Sequence, residues 1–184
     1  MRKVIASLNM TLDGYCDHTL IDADEELHDH FTSLLSQGSS ILYGRITFQL
    51  MEYWRTLIEN PSGEQSLDEF AAIMNQIPKV VFSRTLTDTG WDTATLAQKE
   101  LEQEVRELKQ QPGSPILAGS RSIIQQLLKL GLVDELQICL HPVIAGRGQP
   151  LFETAEESVT LNLLKSLPMT NGAVNLIYQP GNLP

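Results

Sequence analysis

The apolar residues of the chain follow two different periods, and the change between them separates its first two-thirds from its last third. In the first part, short apolar runs alternate with segments whose apolar residues recur every three to four positions. Strands are predicted at residues 3–9, 41–43, 80–82, 91–96 and 116–118. In the last third, every second residue is apolar at 136–140, 159–163 and 174–178. This pattern predicts a largely parallel sheet of strand–helix units with antiparallel strands added at one edge.

Helix starts are recognisable between the predicted strands. Asp22 is followed three residues later by Glu25, and Ser66 by Glu69, a spacing typical of helix N-termini. An amphipathic apolar pattern follows each pair. Because no repeat, linker or low-complexity segment interrupts the pattern, we interpret residues 1–184 as a single α/β domain.

The charge balance narrows the possible partners. Asp and Glu number 23 against 13 Lys and Arg, which gives a formal net charge of −10. A surface with this charge repels nucleic-acid backbones and anionic membranes, so neither is an expected partner. The chain lacks an apolar run of membrane-spanning length and a signal-peptide core, and Cys16 lies far from Cys139. We therefore expect a cytoplasmic protein with reduced thiols.

Three predicted strands end in an arginine accompanied by hydroxyl side chains, at residues 43–47, 82–85 and 117–122. In an open α/β sheet, ligands bind where strands end, because helix N-termini and tight turns present free N–H groups to anions. One such junction is typical of helix capping beside a surface arginine. Three of them in a chain with few cations make a phosphate-rich ligand an equally good interpretation.

Motifs for several other chemistries are missing from the sequence. No GxGxxG, P-loop or GxSxG motif occurs, and Gly146-Arg147-Gly148 is interpreted as a loop turn. His28 and His30 are two positions apart, so they point away from each other on a helix. No metal site is expected.

Five segments together resemble the dihydrofolate-reductase-like superfamily, and most closely the C-terminal reductase domain of bacterial riboflavin-biosynthesis deaminase/reductase proteins. In chain order they are VIASLNMTLDG (4–14), LYGRIT (42–47), VVFSR (80–84), ILAGSRS (116–122) and GLVDELQICLHPVIAGRGQPLF (131–152). The last segment is the most specific. The zinc-deaminase signature of the bifunctional proteins is absent, so deamination is not expected.

The resemblance implies a three-layer fold, with a mostly parallel sheet between helices on both faces. It also implies a homodimeric, NADPH-dependent reductase of a small pterin- or pyrimidine-like heterocycle, for example 5-amino-6-(5-phosphoribosylamino)uracil. Two alternatives remain on the same fold, a non-catalytic nucleotide-binding module and dihydrofolate reduction proper. A phosphotransferase or nucleotide hydrolase is the rival outside it, and would need magnesium-binding carboxylates beside the arginines, which the sequence does not place there.

The resemblance implies cofactor-binding residues at the three arginine junctions. They are Gly44, Arg45, Thr47, Ser83, Arg84, Ala118, Gly119, Ser120 and Arg121. Arg45 and Thr47 would hold the pyrophosphate and ribose phosphate, and Arg84 with its neighbouring serine the adenosine 2′-phosphate. The third junction would line the pyrophosphate and nicotinamide side.

Asp13 is the candidate for substrate contact or proton delivery, because the resemblance places the turn after the first strand at the substrate side. Taken without the resemblance, Asp13-Gly14 is better interpreted as a plain turn.

Overall fold

One sheet of eight strands organises the computed structural model, which describes residues 1–21, 23–152 and 158–181. The strands are β1 (Val4–Thr11), β2 (Ser40–Gly44), β3 (Lys79–Phe82), β4 (Ala94–Leu96), β5 (Ile116–Ala118), β6 (Glu135–His141), β7 (Leu161–Pro168) and β8 (Val174–Pro180). The helices are α1 (Glu25–Gln37), α2 (Arg45–Met51), α3 (Tyr53–Glu59), α4 (Gln65–Gln76), α5 (Leu101–Gln110) and α6 (Arg121–Lys129). Within the described ranges, none of these helices has the length and apolar character of a membrane span.

The strands are arranged in the order β4-β3-β2-β5-β1-β6-β8-β7. All neighbours from β4 to β6 pair in parallel, whereas β8 is antiparallel to both β6 and β7. The prediction of a mostly parallel sheet with antiparallel C-terminal strands is therefore confirmed. As a consequence, the carboxyl ends of β1 to β6 lie along one edge of the sheet.

Helices cover both faces of the sheet, as predicted, because alternate strand residues are apolar on both sides. On one face, Val4, Leu42 and Ile138 pack with residues of α5 and α6. On the other, Ile41 and Val81 pack with residues of α1, α2 and α4. A smaller cluster containing Leu27, Cys139 and Ala173 continues this second core beneath the start of α1.

The first residue of α1 is fixed by Asp24, whose carboxylate accepts a hydrogen bond from the backbone N–H of Leu27 at 2.9 Å. A side-chain oxygen in this position satisfies one of the donors that a helix N-terminus leaves free. The predicted cap, Asp22, lies outside the described residues.

The prediction of a capping box at Ser66 and Glu69 was wrong. The N-cap of α4 is Glu64, two residues before the predicted cap, and Ser66 is buried in the first turn of the helix. The carboxylate of Asp68 instead reaches back to the loop, where it accepts from the N–H and hydroxyl of Ser62. That bond holds the loop before the helix, and no described side chain caps the first turn of α4.

Lys79 is a buried cation at the start of β3, with 1% of its surface exposed. Its Nζ donates to the carbonyl of Ile77 at 2.8 Å and the hydroxyl of Thr93 at 2.9 Å, and lies 4.0 Å from the centre of the Trp91 ring. These partners carry no negative charge. Burial, together with the smaller effect of the nearby guanidinium of Arg55, therefore lowers the pKa of Lys79 to about 8.

This pKa predicts how stability changes at alkaline pH. Between pH 8 and 10.5 the unfolded chain holds the Lys79 proton more tightly than the folded one, so this group's contribution to stability rises with pH. The free energy of unfolding of the unsubstituted protein, minus that of Lys79→Met, should increase by on the order of 3 kcal/mol as the pH rises across that window. Burial raises the pKa of Cys16 and Cys139, so these thiols lower stability as the pH rises. Their effect is the same in both proteins and cancels in the difference. Urea unfolding at several pH values measures it, and a flat difference would contradict it.

The edge strand β7 carries exposed apolar side chains, with Leu163 and Leu164 57% and 55% exposed. An uncovered edge with apolar residues is prone to pairing, so we expect it to be covered in a homodimer. Light scattering should give twice the 20.5 kDa of one chain, and Leu163→Lys should shift the mass towards the monomer. A monomer mass for the unsubstituted protein at every micromolar concentration tested would rule out the dimer.

Candidate active site

A cleft of about 710 Å³ opens at the carboxyl ends of β2, β3 and β4. Its walls are the first turn of α2, the loop after β3, the loop after β4 and the first two turns of α6. Because the strands are parallel, these segments meet at one edge of the sheet. Five of the predicted cofactor residues line this cleft: Gly44, Arg45, Thr47, Ser83 and Arg84.

Three cations line the cleft, each from a different loop or helix. Arg45 donates from Nη1 to the side-chain oxygen of Gln49 at 3.0 Å. Arg84 forms no hydrogen bond or ion pair with the described residues, so its guanidinium is available to an anion. Lys99 forms an ion pair with Glu107, which raises its pKa. Lys99 is not among the residues predicted from the sequence, although it follows β4 at the same edge.

Gly44 connects the end of β2 to α6. Its N–H donates to the hydroxyl of Ser120 at 2.9 Å, and a Cβ added here would lie 3.1 Å from the hydroxyl oxygen of Ser122. A side chain at this position would therefore crowd α6 and the floor of the cleft. Since Ser120 is 1% exposed and bonded to Gly44, it lies outside the cleft. Ser122, two residues later and exposed, lines it instead.

The other predicted residues of the third junction support the site and do not line the cleft. Ala118 is buried in the core beneath α5 and α6. Gly119 allows close packing, because a Cβ there would lie 2.9 Å from the ring of Tyr43. Arg121 donates from Nη1 to the carbonyl of Pro150 at 3.0 Å and thereby holds the loop after β6.

Asp13 joins the loops that follow β1 and β6. Its carboxylate accepts from the hydroxyl of Thr11 at 2.7 Å and from the N–H groups of Ala145 and Gly146 at 3.0 and 2.7 Å. These donors stabilise the anion and lower the pKa of Asp13 to about 2, so the carboxylate holds no proton to deliver near neutral pH. Its neighbour Gly14 has a φ of 91°, as an Asp-Gly turn requires.

A family model of the RibD C-terminal domain matches residues 2–175. The chain belongs to this family. The uncharacterized protein YyaP of Bacillus subtilis (strain 168) is 33% identical to it over 181 residues, which cover 96% of this chain and 94% of YyaP.

Solved structures show the same fold at lower sequence identity. A putative riboflavin biosynthesis protein from Shewanella sp. PV-4 aligns with a TM-score of 0.70 and 20% identity, over 98% of this chain and 99% of its own. A pyrimidine reductase-like protein from Corynebacterium diphtheriae aligns at 0.68 and 16%, over 98% and 92%. This RibD C-terminal domain therefore has the dihydrofolate-reductase-like fold that its motifs implied.

In this RibD C-terminal domain, the bonds made by Asp13 predict what its substitution changes. Asp13→Asn replaces one acceptor oxygen by an N–H₂ group, which cannot accept from Ala145 or Gly146. We expect turnover to fall by about tenfold as the loops lose their positions, while the affinity for a ligand of the cleft changes little because Asp13 does not line it.

Asp17→Asn is the matched control, because Asp17 also follows β1 and is partly exposed, but its carboxylate accepts hydrogen bonds only from Thr19 among the described residues. Unchanged turnover in Asp13→Asn, or an equal loss in both variants, would show that Asp13 has no role in the reaction.

Proposed function

We propose that the protein is an NADPH-dependent reductase that transfers a hydride to a carbon of a pyrimidine- or pterin-like heterocycle, and that it acts as a homodimer. Membership of the RibD C-terminal domain family supports this reaction class. So does the likeness to a Thermotoga maritima deaminase and 5-amino-6-(5-phosphoribosylamino)uracil reductase, which aligns with a TM-score of 0.64 and 13% identity. This chain covers 98% of its own length there and 57% of that larger protein.

The observation that carries the proposal is the group of three cations around one cleft, in a chain whose net charge is −10. NADPH carries a pyrophosphate and a 2′-phosphate, and an acidic protein repels both unless local cations compensate. The cleft volume of about 710 Å³ lies in the usual range of cofactor sites. The residues present therefore fit this cofactor.

Arg84 and Ser83 are the proposed ligands of the 2′-phosphate. Ser83 accepts hydrogen bonds from the backbone N–H groups of Thr85 and Leu86 at 3.1 and 3.0 Å, which fixes the turn, and its hydroxyl oxygen lies 3.5 Å from that of Thr85. When Thr85 is the donor of that contact, the Ser83 hydroxyl proton is left for a phosphate oxygen. The guanidinium of Arg84, next in the chain, offers parallel N–H donors that match phosphate oxygens. Arg45 and Thr47 are the proposed ligands of the pyrophosphate, at the start of α2.

When bound, NADPH supplies the hydride, and the chain supplies the positions of the two reactants. The proposed phosphate contacts at the carboxyl ends of β2, β3 and β4 would hold the cofactor in one orientation across this edge of the sheet. The carboxylate of Asp13 accepts hydrogen bonds from the N–H groups of Ala145 and Gly146, and we call these two bonds the Asp13 clasp. They hold the loop after β1 against the loop after β6. Because Asp13 is ionised, the proton that completes the reduction is proposed to come from solvent or from the substrate itself.

Arg84→Ala tests the cofactor assignment. A charge-assisted contact to the 2′-phosphate is worth roughly one to two decades of affinity, so NADPH should bind about tenfold or more weakly while NADH binding hardly changes. Arg106→Ala is the control, because it removes the same charge at a position away from the cleft. Arg106 is exposed on α5 and forms an ion pair with Glu102. Fluorescence titration of both cofactors measures the effect. Equal losses for NADPH and NADH would show that Arg84 does not bind the 2′-phosphate.

A further inference from the structure

Lys99 differs from the other two cations of the cleft because a carboxylate from outside the cleft holds it. Lys99 lies in the loop between β4 and α5, and its Nζ donates to Oε2 of Glu107, in the second turn of α5. Lys99 lines the cleft and Glu107 does not. Part of the positive charge at the cleft is therefore neutralised by a residue that does not line it.

The ion pair between Lys99 and Glu107 is easily exchanged. The two side chains are 40% and 46% exposed, and ion pairs this exposed contribute little to stability because water competes for both charges. Glu107 keeps a second partner, since its Oε1 accepts from Nε2 of Gln103 at 3.2 Å. Losing Lys99 would thus leave one carboxylate oxygen bonded to Gln103 and the other in contact with water.

The sheet register places Lys99 beside Arg84. Val81 of β3 pairs in parallel with Leu96 of β4, and each cation lies three residues beyond its member of that pair. The two loops start together, because the N–H of Ala97 donates to the carbonyl of Val81 at 3.0 Å. The third cation of the cleft follows β2, on the other side of β3. A phosphate bound by Arg84 thus lies next to the loop that carries Lys99.

The charge of a phosphate monoester exceeds what one arginine compensates. Near neutral pH such a group carries a charge of roughly −1.5 to −2. Arg84 supplies one positive charge in this pair of loops, and Glu100 is the one carboxylate among the residues that line the cleft. A second cation is therefore needed, and Lys99 is the one that the register places beside Arg84.

We propose that Lys99 exchanges Glu107 for the phosphate that Arg84 binds, so that Glu107 limits the affinity of the cleft for that phosphate; this rests on the proposed function. In the empty cleft Glu107 holds the ammonium group. A bound phosphate carries more negative charge than the carboxylate and accepts a charge-assisted hydrogen bond from Lys99 in its place. The oxidised cofactor has the same 2′-phosphate as NADPH and has to leave after each turnover, and competition from Glu107 favours its release.

Fluorescence titration with NADPH and NADH tests the exchange in the unsubstituted chain, Lys99→Gln, Glu107→Gln and the double variant. Lys99→Gln should bind NADPH about three- to tenfold more weakly, because one charge-assisted contact is lost. Glu107→Gln should bind it about two- to fivefold more tightly, because Lys99 no longer has to be released from a carboxylate. In the Lys99→Gln background, Glu107→Gln should have no effect. NADH, which lacks the 2′-phosphate, should hardly respond to any of these substitutions.

Glu102→Gln is the matched control. Glu102 is also on α5, is 49% exposed and forms an ion pair with Arg106, but neither residue lines the cleft. Its substitution removes the same negative charge and should leave NADPH affinity unchanged. Equal strengthening by Glu102→Gln and Glu107→Gln would show a general effect of net charge and overturn the proposal. Weaker NADPH binding in Glu107→Gln would also overturn it, because Glu107 would then hold Lys99 in its binding position.

Adenosine 2′,5′-bisphosphate separates this proposal from the proposed function, and adenosine 5′-monophosphate, which should bind equally to all the variants, is its comparison. Suppose that Glu107→Gln binds the bisphosphate more tightly, that the double variant does not, and that the protein oxidises no NADPH with any pyrimidine or pterin. This result would support the exchange while contradicting the reductase. NADPH-dependent reduction with equal NADPH affinity in the unsubstituted protein, Lys99→Gln and Glu107→Gln would do the reverse. Absence of NADPH and bisphosphate binding in the unsubstituted protein would contradict both.

Discussion

The parallel pairing of the six strands from β4 to β6 is the constraint on which the rest of the structure depends. Parallel neighbours require crossover connections, and each crossover returns the chain so that every strand ends at the same edge. The loops after β1, β2, β3, β4 and β6 therefore meet there, although they are far apart in the sequence. The cation cleft and the Asp13 clasp are both products of this arrangement.

The charge distribution shows how an acidic chain can bind an anion. Arg45, Arg84 and Lys99 lie at one edge, and several of the other cations are used within the structure, including Lys79 in a core and Lys109 against Asp134. Lys99 itself is shared with Glu107, so its contribution to an anion depends on releasing that partner. The acidic remainder repels phosphates elsewhere on the surface. Among the described residues, this arrangement favours an anion at the edge where the three cations lie.

The cleft could be predicted from the sequence because the end of a strand is visible as a change in the apolar pattern. Arg45 and Arg84 directly follow apolar runs, and both line the cleft. Ser120 and Ser122 are two residues apart in one hydroxyl-rich junction, and only the three-dimensional arrangement shows that the first turns inward to Gly44. Lys99 was missed because β4 is only three residues long and the charged segment after it resembles an ordinary surface helix.

The burial of the polar side of β6 could not be predicted, for a different reason. Gln137 and Cys139 alternate with Leu136 and Ile138, a pattern that predicts one apolar and one solvated side of a strand. In the structure both sides are buried, because α1 covers the polar side. Periodicity records how polar a position is but not what covers it, so buried polar groups are indistinguishable from exposed ones in the sequence.

The Asp13 clasp joins segments that are 132 and 133 residues apart in the chain. Such a contact can form only after β1 and β6 have paired. Closing so long a loop has a large entropic cost, which the pairing of the strands must already have offset. The loops after β1 and β6 should thus be among the last parts of the molecule to become ordered during folding. By the same reasoning they are among the first to open in local unfolding. The edge that carries these two loops is therefore assembled on a sheet that is already stable.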